Sequence, residues 1–354
     1  RQGASENLDS EVKPTQPKTI LQAVSVYTGF LIMSQELPFE PFPFFTDPHK
    51  QTIISSLCNF LWEPSSEQKL ITLPDADKIS LEVTTPQGWK PTDLTVFLVH
   101  GLCGSHQSPN LVRMVKKLEP LGIRCVRYNM RNCGSGKGFA KNIYHSGRSE
   151  DIFECLKVLK KEQPDSPIIL IGFSLGGNLV LKLAGELANL GPYFLKGVSA
   201  ISPPVDLYSS VQMLGNPDNA IYERYFYKLL RSDVHYIHRK FKDLPPIKLP
   251  RNLKLYEFDQ LYTAPTCGFK DADDYYNKCS SAHFISDIEI PTRILLAEDD
   301  PIISPHSLDR CRIPSSVDLF KTKKGGHMGY LGAPGNDKGF YWLDSLLVDW
   351  IQEF

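Results

Sequence analysis

Short apolar runs recur along this chain of 354 residues, and most of them are separated by stretches with a helical period. The runs are "ISLEV", "LTVFLVHG", "IRCVRYNM", "PIILIGFS", "GVSAISP", "TRILLA" and "VDLFKT". Between them lie segments such as "SPNLVRMVKKLEPLG", "SEDIFECLKVLKKEQ" and "LGGNLVLKLAGELANLG", and the chain closes on "GFYWLDSLLVDWIQEF". Apolar runs of this length alternating with amphipathic segments read as βαβ units around a sheet buried on both faces. The expectation is a doubly wound, mostly parallel α/β fold.

The alternation fails between Asp206 and Phe284. Helical fragments such as "NAIYERYFYKLLRSDVHYIHRKF" and a Pro-broken link "KDLPPIKLPRNL" occupy that span, with no buried strand. The expected organisation is an N-terminal extension over 1–45, a core over 46–205, an inserted helical cap over 206–285 and the rest of the core over 286–354. The 79 positions from 206 to 284 hold 14 aromatic residues, enough to line an apolar pocket. From Arg224 to Lys254 nine Lys or Arg stand against Asp233 and Asp243. Such a run is ordinarily a solvated face; its other reading is contact with a lipid surface or an acidic substrate.

Globally, 39 basic and 40 acidic residues nearly cancel, so nothing steers the whole chain toward nucleic acid. Eight cysteines lack the paired spacing of a zinc site, in a chain too long to need disulfide staples, and read as free thiols in a reducing compartment, the cytoplasm first. Against that, Thr19 to Gln35 is an uncharged stretch, short for a bilayer span, that raises the question of an N-terminal anchor. Opening on Arg1 rather than Met is also consistent with a targeting segment removed upstream.

Chemistry concentrates at Gly172, Phe173, Ser174, Leu175 and Gly176, a G-x-S-x-G match that follows "PIILI" and precedes a helical pattern. A serine on a tight strand-to-helix turn crowds the positions two residues away on either side, and glycines there remove the obstacle. The turn lifts the hydroxyl to a helix N-terminus, where the dipole and unpaired N–H groups favour developing negative charge.

A serine hydroxyl needs a base and a group that orients the base. In α/β-hydrolases these follow in the order Ser, Asp or Glu, His. "TRILLAEDDPIISP" supplies Glu298, Asp299 and Asp300 after one run, and "VDLFKTKKGGHMGYL" supplies His327 after the next. Asp300, at the strand-to-loop junction before "PII", is the first choice for the acid. Asp299 and Glu298 are its near rivals and Asp206 a more distant one. In "HGLCGS" the chain turns at Gly101, where the Leu102 N–H can join that of Leu175 as an oxyanion hole. His235 and His238 with Asp233 lack a fourth ligand and read as helix surface residues rather than a metal site. The chemistry needs no metal or cofactor.

Taken together, "HGLCGS", "YNMRNCGSG", "YHSGRSEDI", "GFSLGGNLVLKLAGE", "YTAPTCGFKDADDYY", "DDP" and "GGHMGY" resemble the YheT-like branch of the α/β-hydrolases, the AB hydrolase 4 family. With the lead-in "DPHKQTI", the likeness runs from about Phe39 to the C-terminus. It implies a Ser174–Asp300–His327 hydrolase of carboxylic esters, acylglycerols or short- and medium-chain acyl esters, with some members transferring acyl groups to alcohols. The H-x-x-x-x-D element of acyltransferring relatives is not matched, since Glu150 stands five residues after His145 and Asp151 one step beyond. Cys103, Cys133 and Cys267 sit in motif loops and are expected to confer sensitivity to alkylation rather than to catalyse. Three readings follow: a serine esterase, an alcohol O-acyltransferase using the same acyl-enzyme, and a non-catalytic binding protein that kept the fold.

Overall fold

A computed structural model describes residues 34–57 and 63–354. In it nine strands form one sheet: β1 (Ser34–Glu36), β2 (Glu67–Thr72), β3 (Lys78–Thr84), β4 (Thr95–Val99), β5 (Arg124–Asn129), β6 (Ile168–Phe173), β7 (Gly197–Ile201), β8 (Thr292–Ala297) and β9 (Val317–Thr322). Their order is β1-β9-β8-β7-β6-β4-β5-β3-β2. The pairs β2–β3 and β3–β5 are antiparallel and every other pair is parallel, with Phe97 of β4 opposite both Val126 of β5 and Leu170 of β6.

Helices cover both faces. They are α1 (Pro48–Leu57), α2 (Pro109–Leu118), α3 (Ser149–Glu162), α4 (Leu175–Leu187), the short α5 (Gly191–Phe194) and, at the C-terminus, α11 (Trp342–Glu353). Alternation along the strands decides which residue meets which helix. Val96, Leu98, Ile169 and Ile171 pack with Met114 and Leu118 of α2 and Leu347 of α11. Their neighbours Phe97, Val99 and Leu170 face the other way, onto Leu156 of α3 and Leu179 and Leu183 of α4. Two-sided burial is why the central strands read as continuous apolar runs.

Between β7 and β8 the chain forms α6 (Leu207–Leu214), α7 (Ala220–Lys240), α8 (Leu255–Phe258), α9 (Ala264–Thr266) and α10 (Ala272–Cys279), with a π-helical turn at Asp259–Thr263. No strand occurs there.

Two strands escape the sequence pattern. β1 is only three residues long, and β2, at the edge of the sheet, leaves most of its positions exposed and so carries no apolar run. Most of the Thr19–Gln35 stretch and Cys58 lie outside the described residues; Ser34 and Gln35 belong to β1, paired in parallel with β9. Among the described residues no helix is long and apolar enough to cross a membrane.

Candidate active site

Ser174 lies between the end of β6 and the first residue of α4, with φ 51° and ψ −120°. A non-glycine residue there stores on the order of 1–3 kcal/mol of strain, so the surroundings must hold it. Its N–H donates to the Ile201 carbonyl (2.8 Å), and its own carbonyl accepts from the N–H groups of Gly177 (2.7 Å) and Asn178 (3.2 Å). The flanking glycines are a steric requirement: a Cβ on Gly172 would lie 2.2 Å from the Gly176 carbonyl oxygen, and one on Gly176 would lie 2.5 Å from that of Val99.

His327 follows β9 and reaches both of its partners. Nε2 lies 2.8 Å from Ser174 Oγ, and Nδ1 lies 2.8 Å from Asp300 Oδ2. The other Asp300 oxygen accepts the N–H groups of Ile302 (2.8 Å) and Ile303 (2.9 Å), which fix the carboxylate plane. Both His327 and Asp300 are buried, which shields the relay from water.

The rival acids are occupied elsewhere or point away. Asp299 accepts the Gly326 N–H (2.9 Å), Asp206 caps α6 through the Ser209 N–H (3.1 Å), and Glu298 is exposed.

On the proposed oxyanion side, the Gly101 backbone approaches Ser174 so closely that a Cβ there would be 3.2 Å from Ser174 Cβ. That contact places Leu102 and Leu175 beside Ser174 and His327 in one pocket. The Leu175 N–H opens α4, so no carbonyl one turn back in the helix competes for it.

His100 has a different task. It is fully buried, its Nε2 accepts the Met130 N–H (3.1 Å), and its Nδ1 therefore donates to the Gly101 carbonyl (2.7 Å). Burial pushes it down to about 4, outweighing the bond to Gly101, so a neutral imidazole ties the turn to the end of β5.

The pocket beyond the triad is mostly apolar. Ile302 and Ile303 stand near His327, and Phe226, Leu230, Val234 and Ile237 of α7 form one wall. Tyr275, Tyr276, His145 and Asp259 add polar groups, with the Tyr276 hydroxyl donating to Asp259 (2.6 Å) and burial raising that carboxyl to about 6.

Several side-group expectations change. Burial pushes the Cys103 thiol up to about 12 and raises the Cys133 and Cys267 thiols as well, which disfavours the thiolate that alkylation requires. His238 is more than a surface residue, since it bridges the Pro245 carbonyl (2.6 Å) and the Tyr262 hydroxyl (2.9 Å); His235 bonds the Arg231 carbonyl (2.6 Å). Among the described residues no His, Cys, Asp or Glu cluster is arranged to hold a metal ion. Asp151 pairs with the Arg131 guanidinium through two 2.7 Å bonds, locking the loop after β5.

Sequence reasoning missed α1 altogether. Thr52 accepts the His327 N–H (2.9 Å). Gln51, fully buried, donates to the Phe45 and Leu331 carbonyls and accepts the Leu331 N–H (2.7 Å). His49 bonds the Tyr222 hydroxyl at the start of α7 (2.9 Å). The only signal was "DPHKQTI" itself, which carries no periodicity that points to a distant loop.

A family model described as the alpha/beta hydrolase fold matches residues 95–334. YheT of Escherichia coli (strain K12) is 30% identical over 331 residues, covering 91% of this chain and 95% of that protein. Phospholipase ABHD3 of Mus musculus is 26% identical over 67% of this chain, which spans 58% of its length. Among solved structures, the Pyrococcus furiosus esterase Pf2001 superposes with a TM-score of 0.54 at 17% identity, covering 83% of this chain and 97% of that one, a likeness of fold. With an elbow serine at the end of a central strand and these matches spanning the sheet, the chain belongs to the α/β-hydrolase fold family, alongside YheT.

Proposed function

We propose that this chain is a carboxylic ester hydrolase that works through an acyl-enzyme on Ser174, with acylglycerols or short- and medium-chain acyl esters as its substrate class. The observation that carries the reading is the relay in which His327 stands 2.8 Å from both Ser174 Oγ and Asp300 Oδ2. The names of relatives support the substrate class: a phospholipase in mouse and a monoacylglycerol lipase in Saccharomyces cerevisiae (strain ATCC 204508 / S288c), the latter 26% identical over 73% of this chain.

In the proposed mechanism His327 takes the Ser174 proton as Oγ attacks the ester carbonyl, while Asp300 holds the imidazole tautomer and stabilises its cation. The N–H groups of Leu102 and Leu175 receive the oxyanion; losing one such donor costs about a hundredfold to a thousandfold in rate. His327 then gives the proton to the departing alkoxide; a water deprotonated by the same histidine attacks the acyl carbon, and the proton passes to Ser174 Oγ as the acid is released. Residues 206–285 act as the cap, with the apolar wall of α7 taking the acyl chain.

Labelling with a fluorophosphonate tests the nucleophile, and Ser174→Ala must abolish both labelling and turnover. Incubation of a p-nitrophenyl acyl ester with rising ethanol separates free acid from ethyl ester, and formation of free acid alone at every ethanol concentration rejects the alcohol O-acyltransferase. Faster turnover of acetyl than of octanoyl esters would contradict an acyl pocket along α7.

A further inference from the structure

Charge from Arg224 to Lys254 is strongly one-sided, with nine Lys or Arg against two Asp. None of the nine Lys and Arg residues from Arg224 to Lys254 takes part in an ion pair among the described residues. The two acids of that segment are already neutralised from outside it, Asp233 by Lys137 (3.7 Å) and Asp243 by Lys141. Among the described residues these nine cations are thus not held in salt bridges, in a protein whose formal net charge is −1.

On α7 this charge meets exposed apolar surface. Ile221 is 62% and Tyr225 60% exposed, one turn apart, and the exposed Arg224 and Lys228 flank them at the same spacing. The opposite face of the same helix, through Phe226, Leu230, Val234 and Ile237, lines the pocket that holds Ser174 and His327. The start of α7 is tied by Tyr222 to His49 of α1, the helix whose Thr52 holds His327. The outward apolar and basic face thus lies at the triad end of the pocket.

We infer that this face of α7 docks on an anionic phospholipid bilayer. Ile221 and Tyr225 enter the headgroup boundary, Arg224 and Lys228 pair with lipid phosphates, and the pocket behind them receives its substrate from the bilayer. The last step rests on the ester-lipid reading; the docking itself does not. Cations alone would suit any polyanion, but a nucleic acid offers no apolar phase for the two exposed anchors, and an interfacial helix needs both.

Co-sedimentation of the full chain with large unilamellar vesicles tests this without any turnover. Binding to phosphatidylcholine vesicles containing phosphatidylserine, weak binding to phosphatidylcholine alone, and release by high salt are expected. In Arg224→Gln/Lys228→Gln the partition coefficient should fall by about 25-fold, roughly fivefold per cation. In Ile221→Ser/Tyr225→Ser it should fall as well, with circular dichroism reporting that both variants remain folded. Equal binding to neutral vesicles, undiminished binding by either variant, or displacement by single-stranded RNA would each overturn the proposal. Docking without ester cleavage would leave this inference standing and sink the catalytic one; cleavage without docking would do the reverse.

Discussion

The backbone N–H of His327 donates to the hydroxyl of Thr52, 2.9 Å away and 275 positions earlier in the chain. The same hydroxyl donates to the Pro48 carbonyl one turn back in α1, so the helix holds the loop at a set height above the sheet. Thr52→Val keeps the side-chain volume and removes the acceptor, leaving a buried N–H unpaired. We expect kcat to fall about tenfold with KM little changed, an effect of about 1.4 kcal/mol, and Thr52→Ser to restore it. A rise in KM alone, or no rescue by serine, would reduce Thr52 to ordinary packing.

Two adjacent carboxylates sit beside the His327 loop, and only one touches the ring. Asp300 bonds Nδ1, whereas Asp299 bonds the Gly326 N–H and lies 3.9 Å from Lys324 Nζ. Asp300→Asn should lower kcat by about 10⁴ because the amide favours the wrong imidazole tautomer. Asp299→Asn keeps an acceptor for the Gly326 N–H and should stay within about tenfold of the parent. A reversed ranking in steady-state kinetics would move the acid role to Asp299.

Acid should destabilise the protein through His100. Its folded value is held at about 4 by burial, against 6.5 for an ordinary histidine. Between those values the unfolded chain binds the extra proton, so stability is complete above about 6.5 and is lost as the pH falls toward 4. The loss amounts to on the order of 3 kcal/mol. Denaturant unfolding at pH 7 and pH 4.5 should show a smaller acid loss in His100→Asn than in the parent. The same loss in both would assign the acid sensitivity to other groups.

Thiol reagents should leave the activity intact. With Cys103 pushed up to about 12, only about one thiol in 10⁵ is ionised at pH 7. N-ethylmaleimide at that pH should produce no adduct at Cys103 by peptide mass mapping and no loss of esterase rate. Adduct formation at Cys103 in step with inactivation would mean the loop opens far more often than its burial implies.

The α/β architecture and the elbow position of Ser174 were legible because their signals are local. A strand buried on both faces must be a continuous apolar run, as Ile168–Phe173 is, and an elbow serine must have glycines where the backbone leaves no room for a Cβ, as at Gly172 and Gly176. The two missed strands, β1 and β2, carry no such run because one is three residues long and the other is largely exposed.

Which carboxylate faces His327, and which helix holds its loop, are settled only by the tertiary structure. Glu298, Asp299 and Asp300 are chemically interchangeable in a linear reading; the turn made by the N–H groups of Ile302 and Ile303 aims one of them at the imidazole. Thr52 and Gln51 look like ordinary polar residues of a weakly amphipathic helix until the fold brings them against 327 and 331. Hydrophobic periodicity reports how each segment meets the core, whereas hydrogen bonds between segments hundreds of residues apart depend on where the folded chain puts them.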